Sequence, residues 1–251
     1  VEIVAMSDVG NVRTINQDYV RYYQKNEHES LVVLCDGMGG HNAGEIASQM
    51  VGDAIVEQYV NHALFEDEKM IHDWMLEVVN HAHWLVKNKS LESPDLEGMG
   101  TTVVLALFKD EYVYVSHVGD SRAYLYRHHQ LIQLTRDDTL VNVLVDSGTI
   151  SKDEAFNHPQ KNILLQAVGV SEHLEVSYTS ENVKDALLLV CSDGLYNSLF
   201  DSQIIEILQS DIHLEEKGKQ LMEAANTFGG KDNIGFALIL NEGVVNNESD
   251  K

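Results

Sequence analysis

Four aspartates mark the places where this chain could do chemistry. Asp36 follows the apolar run 31–35 and precedes Gly37. Asp193 follows the run 187–190 through Cys191 and Ser192, and precedes Gly194. Asp120 lies in Val118-Gly119-Asp120-Ser121, and Asp232 in Gly230-Lys231-Asp232-Asn233. An apolar strand that stops at Asp-Gly leaves a carboxylate at a sheet edge. Several such strands stopping together gather hard oxygen ligands, which suit Mg²⁺ or Mn²⁺. A pair of these ions is a device for phosphoryl transfer. An aspartate between a strand and a glycine is also an ordinary turn residue, and one such site alone reads as a turn. Two of them, with Asp232 ahead of a further apolar run, favour a shared carboxylate centre.

Such a centre needs elements to hold it. Short apolar or β-type runs predict strands at 4–7, 19–23 and 31–35. Ile46, Met50, Ala54, Ile55 and Tyr59 recur at helical spacing and predict a helix over 43–61. A second helix is expected over 66–88, with Ile71, Met75, Val78, Val79 and Leu85 on its apolar side. Runs at 101–108, 112–117, 123–127 and 131–134, separated by turn residues, read as an antiparallel meander. Short helices are expected at 139–148 and 151–156, a buried strand at 187–190, helices at 202–209 and 214–227, and a last strand at 234–240. This order is not a repeating βαβ alternation. It predicts an α+β domain, a pair of antiparallel sheets covered by helices, without repeats or a dividing linker.

Composition agrees with one large globular domain or two small ones. The chain has 251 residues, 44% of them hydrophobic, and only two prolines. Its formal net charge of −23 repels nucleic acid and anionic lipid, so neither is an expected partner. Cys35 and Cys191 lie inside apolar runs and read as buried free thiols. No basic segment leads into an apolar core, and no apolar stretch reaches about 18 residues. The expectation is a soluble, cytoplasmic, monomeric chain, or a soluble domain of a longer one, since it begins with Val1 rather than methionine.

Other motifs carry less. Gly230-Lys231 is similar to the end of a P-loop, but Asp232 takes the Ser/Thr position and no helix follows. Gly37-Met38-Gly39-Gly40 is not G-x-G-x-x-G. His72, His81 and His83 lack the i, i+4 zinc pair and are expected on a solvated helix face. His128-His129 reads as a polar hairpin turn.

Taken together, six blocks resemble the metal-dependent serine/threonine protein phosphatases (the PPM family, or type 2C) in their compact bacterial form. They are Ser7-Asp8-Val9-Gly10 with Arg13 and Asn16-Gln17-Asp18; Asp36-Gly37-Met38-Gly39-Gly40-His41; Gly98-Met99-Gly100-Thr101-Thr102; Gly119-Asp120-Ser121-Arg122; Ser192-Asp193-Gly194; and Lys231-Asp232-Asn233. They occur in the family's order and spacing, nearly end to end.

The resemblance implies a fold and a division of labour. The fold is a central β-sandwich with helices on both outer faces, forming one catalytic domain over 1–241. A flap spans about 138–166, and 242–251 is a polar tail. Asp36 bridges two Mg²⁺ or Mn²⁺ ions, with the Gly37 carbonyl on one of them. Asp193 and Asp232 complete the other, Asp18 acts through bound water, and Asp120 holds a third, weaker ion. A water or hydroxide between the metals attacks phosphorus without a covalent phosphoenzyme. Arg13, otherwise a surface arginine, offers a planar fork to phosphate. His41, otherwise a cap-region residue, is the candidate general acid for the leaving serine or threonine oxygen. Phosphoproteins are the implied substrates, with a bacterial Ser/Thr kinase as partner. One departure stands at Asp138, where many bacterial relatives carry histidine. It bears on substrate handling or is tolerated loop variation. The rival readings are a catalytically weak phosphoprotein-binding regulator of the same fold, and a phosphatase dedicated to one regulatory phosphoprotein or to small esters.

Overall fold

The computed structural model describes residues 1–40 and 43–241. His41, Asn42 and the 242–251 segment lie outside the described residues, and so does the expectation placed on that tail. The chain runs β1 (Glu2–Asp8), β2 (Asp18–Gln24), β3 (Glu29–Met38), α1 (Ala43–Asn61), α2 (Glu68–Ser90), β4 (Gly100–Thr101), β5 (Val103–Lys109), β6 (Tyr112–Val118), β7 (Arg122–Arg127), β8 (Gln130–Gln133), α3 (Leu140–Asp146), α4 (Lys152–Phe156), β9 (Ser177–Asn182), β10 (Leu187–Cys191), α5 (Asp193–Tyr196), α6 (Asp201–Gln209), α7 (Leu214–Phe228) and β11 (Ile234–Leu240).

The strands form two antiparallel sheets. One has the order β1-β11-β10-β7-β8; the other has β2-β3-β5-β6-β9, with β4 paired to β3. Successive side chains of a strand point to opposite faces, and here both faces of each sheet are covered. In β3, Val32 and Leu34 meet Leu188, Val190, Ala237 and Ile239 of the other sheet. Leu31, Val33 and Cys35 of the same strand pack against Ile55 and Val51 of α1 and Met75 and Val79 of α2. In β10 and β11, Leu189, Cys191, Phe236 and Leu238 pack against Leu195, Ile204, Leu221 and Ala225 of α5 to α7. The expected α-β-β-α layering is therefore present, and it explains why the central strands are apolar at every position rather than at alternate ones. Each fully buried Leu, Ile or Val in these layers contributes about 1.5–3 kcal/mol.

Three expectations change. First, 101–134 is not one meander. β5 and β6 pair in the second sheet, and β7 and β8 in the first, so the chain changes sheets at Gly119-Asp120-Ser121. Hairpins read alike in sequence whichever sheet they join. Second, β3 does not stop at Cys35. It continues through Asp36 and Gly37 to Met38 because Gly37 and Met38 pair with Thr101 and Gly100. Third, His83 is not on a solvated face but buried, and its Nδ1 accepts the Gly169 N–H at 3.0 Å. Both cysteines are buried and free, and His128-His129 forms the β7–β8 turn with φ of 51° and 60°. No helix among the described residues is long and apolar enough to cross a membrane.

Candidate active site

The two sheets bring their aspartates to one end of the sandwich. Asp36 sits within β3, and the register of β2 against β3 places Asp18 directly opposite it. Asp193 opens α5 just beyond β10, and Asp232 lies two residues before β11. Asp120 sits where the chain passes from β6 to β7. The charges of Asp18, Asp193, Asp120 and Asp232 all bear on the Asp36 carboxyl, so the structure brings these five aspartates near one another. Arg13 joins them, its guanidinium 2.8 Å from Asp232 Oδ2. His41 lies outside the described residues.

The glycines after the aspartates are dictated by close approach. A Cβ on Gly37 would stand 2.1 Å from the Gly44 carbonyl oxygen, and one on Gly194 would stand 1.8 Å from the Asn233 carbonyl oxygen. Gly37 thus lets the start of α1 close on β3, and Gly194 lets α5 lie against the entry to β11. The Asp-Gly pairs are packing devices that bring the carboxylate-bearing segments together.

Backbone around the site is held by residues for which the sequence predicts no role. Ser192 Oγ donates to Asp18 Oδ2 at 2.6 Å and accepts the Gly235 N–H at 3.0 Å, tying β2 of one sheet to β10 and β11 of the other. The Asn233 side chain donates to the Val9 and Ile15 carbonyls, each at 2.9 Å, and accepts the Gln17 N–H at 2.9 Å. It thereby fastens the β1–β2 loop, which carries Arg13, beside Asp232. Thr101 Oγ1 donates to the Asp36 carbonyl at 2.9 Å, and Thr102 Oγ1 accepts the Asp36 N–H at 3.1 Å. Tyr196 OH donates to the Asp120 carbonyl at 3.0 Å. Ser192, Asn233, Thr101 and Thr102 all belong to the blocks that carry the family resemblance, which is the one signal that marked them. Tyr196 carries none.

The electrostatics are those of crowded anions. Burial, followed by the charges of neighbouring aspartates, pushes Asp36 well above the ordinary carboxylate range. Asp18 rises for the same reasons, partly offset by the Ser192 hydrogen bond. Burial and then Asp232 raise Asp193, against which Arg13, Arg122 and Asn197 work. Burial and then Asp193 push Asp120 from 3.8 up to about 7. A protein-only site of this kind holds more negative charge than the neighbouring Arg13 and Arg122 can offset. Acceptor-only carboxylates in that surplus fit a divalent cation. Among the described residues, no three His, Cys, Asp or Glu side chains already close on a point as ligands.

Beside Asp120 opens a cleft of about 900 Å³ between the α3–α4 segment and the α5–α6 connection, lined among others by Arg122, Arg136, Asn142, Lys152 and Tyr196. Its floor is rigid. Arg122 makes a forked pair with Asp137, at 2.9 Å from Nε and 2.7 Å from Nη2, and lies 3.6 Å over the Tyr196 ring.

Comparison with known proteins converges on the same family. A family model described as protein phosphatase 2C matches residues 11–233. The serine/threonine phosphatase stp of Listeria monocytogenes is 37% identical over 234 residues, covering 93% of each chain. The solved structure of the Streptococcus agalactiae serine/threonine phosphatase superposes with a TM-score of 0.90 at 35% identity, covering 94% of this chain and 98% of that one. The catalytic domain of the serine/threonine protein phosphatase PstP, solved in complex with 2 manganese ions, gives a TM-score of 0.81 at 35% identity over 94% and 96% of the chains. An acidic site at one end of a four-layer sandwich, a family model matched over most of the length and a relative covered nearly end to end agree: the chain belongs to the protein phosphatase 2C family.

Proposed function

We propose that this protein hydrolyses phosphoserine and phosphothreonine in proteins with the help of Mg²⁺ or Mn²⁺. The observation that carries the proposal is the gathering of five aspartates at one end of the sandwich: Asp18 opposite Asp36 in the β2–β3 register, Asp193 just after β10, Asp232 just before β11 and Asp120 where β6 passes to β7. It is supported by the manganese ions of the PstP catalytic domain, a protein of the same fold at 35% identity. In this reading Asp36, the Gly37 carbonyl, Asp193 and Asp232 would hold the two core ions. Asp18 acts through water, and Asp120 holds a third, weaker ion. Bound divalent ions supply neutralisation of phosphoryl charge and a water of lowered pKa.

The chain's own residues do the rest. Arg13, at the mouth of the site and exposed, orients the phosphoryl oxygens through its planar fork. Its pairing with Asp232 keeps the guanidinium beside a carboxylate that would hold an ion. His41 is assigned the proton for the departing serine or threonine oxygen. Residues 1–241 form one catalytic domain, with 138–166 as a flap over the cleft beside Asp120. The partner is a Ser/Thr kinase whose products this enzyme reverses. The setting is the cytoplasm, a reducing compartment in which the buried free thiols of Cys35 and Cys191 are ordinary.

The test is hydrolysis of a phosphothreonine peptide and of an aryl phosphate with Mn²⁺ and with EDTA. Turnover is expected with Mn²⁺ only. It should fall about 10³-fold in Asp36→Ala and Asp193→Ala, and in part in Asp120→Ala. Full activity in Asp193→Ala would overturn the assignment.

A further inference from the structure

The 138–166 segment has two roots. The chain enters at Asp138 and leaves at Gln166, and the side chain of Asp138 touches both the second root and the turn that carries Asp120. Asp138 Oδ2 accepts the Gly119 N–H at 2.8 Å and a Gln166 Nε2–H at 2.8 Å. The Asp138 N–H donates to the Gly119 carbonyl at 2.9 Å, and the Leu165 N–H donates to the Asp138 carbonyl at 2.8 Å. Gln166 is fixed in turn by Glu175, whose carbonyl accepts from Nε2 and whose N–H donates to Oε1, both at 2.9 Å. The peptide groups on either side of Gly119 are therefore engaged by one residue of the flap, immediately before Asp120.

The remaining restraints on that turn come from elsewhere. Tyr196 of α5 holds the Asp120 carbonyl. Ser121 Oγ lies 2.7 Å from Thr102 Oγ1, which also accepts the Asp36 N–H. Asp120 is thus suspended between the sandwich, α5 and the flap, and the flap's share passes through a half-buried carboxylate making two charge-assisted hydrogen bonds.

We infer that Asp138 is a positioning residue: it fixes the Asp120 turn to both roots of the flap and so sets the affinity of the outer divalent-ion site. The inference rests on the reading of Asp120 as an outer-ion ligand. Its role is geometric, carried by an acceptor oxygen at one place, and does not require Asp138 to touch the ion or the substrate.

The experiment is a calorimetric titration of the metal-free full chain with Mn²⁺, for the parent and for Asp120→Ala, Asp138→Ala and Asp138→Asn, at a temperature where all are folded. The parent is expected to show two tighter binding events and a weaker one. Asp120→Ala loses the weaker event. Asp138→Ala weakens the same event about tenfold and leaves the tighter two unchanged. Asp138→Asn, which keeps an acceptor oxygen in place, stays within about twofold of the parent. In aryl phosphate turnover, Asp138→Ala raises the Mn²⁺ concentration needed for half-maximal activity without raising KM. Should Asp138→Ala fail to fold, Asp138→Glu, which keeps the charge but moves its oxygens by a methylene, carries the same expectation. If Asp120→Ala removes the weaker event and Asp138→Ala leaves it intact, the inference on Asp138 is overturned. If Asp120→Ala leaves all three events unchanged, the reading of Asp120 falls instead.

Discussion

Asp18 and Asp36 face each other across β2 and β3, two carboxylates paired in register within one antiparallel ladder. Opposed like charges destabilise a sheet, and here Asp18 is buried and Asp36 half-buried. Ser192 relieves Asp18 from the other sheet, with its hydroxyl 2.6 Å from Oδ2. The arrangement spends folding free energy to keep two acceptors aimed at one place, which a divalent cation can then recover.

Ser192 should therefore matter although it is assigned no ion. Removing a hydrogen bond that orients a ligand costs about 10–100-fold in metal affinity. Ser192→Ala is expected to weaken Mn²⁺ binding by about that factor, while Ser192→Thr, which keeps the hydroxyl, loses less. A Mn²⁺ titration of the two variants checks this, and equal affinity in Ser192→Ala and the parent would remove Ser192 from the site.

The crowding of carboxylates has a pH signature in the metal-free protein. Burial and then Asp193 push Asp120 from its ordinary 3.8 up to about 7 in the folded state. Asp18, Asp36 and Asp193 shift in the same direction. For acids with raised pKa the folded state binds more protons between those limits. Stability is then fully present below 3.8 and is lost as pH rises through about 7. Thermal melts in EDTA are expected to show Tm falling over that window. Saturating Mn²⁺ should flatten or invert the trend, because the ion takes the protons' place. A Tm in EDTA that rises steadily over the same window would contradict the electrostatic account of the site.

Gly194 offers a purely steric test. A Cβ there would stand 1.8 Å from the Asn233 carbonyl oxygen, a backbone atom that cannot swing aside. Gly194→Ala is expected to force α5 away from the entry to β11, at a cost of about 3 kcal/mol. Asp193 and Asp232 should separate with it. Lower Tm together with weaker Mn²⁺ binding is the expected pair of results, and Gly98→Ala is not a fair control because Gly98 has a φ of +73°. Gly40→Ala, with nothing within 4 Å of its Cβ, should leave Tm nearly unchanged.

Much of this was legible in the sequence because burial on both faces leaves a plain mark. The runs at 31–35 and 187–190 are apolar without alternation, as strands between a second sheet and a helix layer must be. The span predicted for the first helix, 43–61, matches α1 (Ala43–Asn61). β9 was not legible: Ser177–Asn182 is a polar strand that, among the described residues, pairs with β6 alone at the sheet edge, so neither alternation nor an apolar run announces it. Nor was the opposition of Asp18 and Asp36, which depends on strand register, a long-range property. The buried His83 did leave a trace. It falls four residues after Val79 and three before Val86, both fully buried, on the apolar stripe of α2. Its polarity suggested solvent while its spacing pointed inward, and the spacing prevailed because Gly169 supplies a hydrogen-bond partner.

Arg122 tests whether the floor beside Asp120 must be rigid. Its fork grips both oxygens of Asp137, its plane covers the Tyr196 ring, and Nη1 donates to Tyr124 OH at 2.7 Å. Lysine keeps the charge but has neither the fork nor the plane. Arg122→Lys is expected to destabilise the protein by about 1–3 kcal/mol and to free the Tyr196 ring. Because Tyr196 holds the Asp120 carbonyl, the Mn²⁺ dependence of turnover should also move to higher concentration. Tyr196→Phe removes that hydrogen bond but keeps the stacked ring. It should reproduce the shift in Mn²⁺ dependence with a smaller loss of Tm. If Arg122→Lys lowers Tm while Mn²⁺ dependence stays put in both variants, the Arg122–Tyr196 pair supports the fold alone and not the position of Asp120.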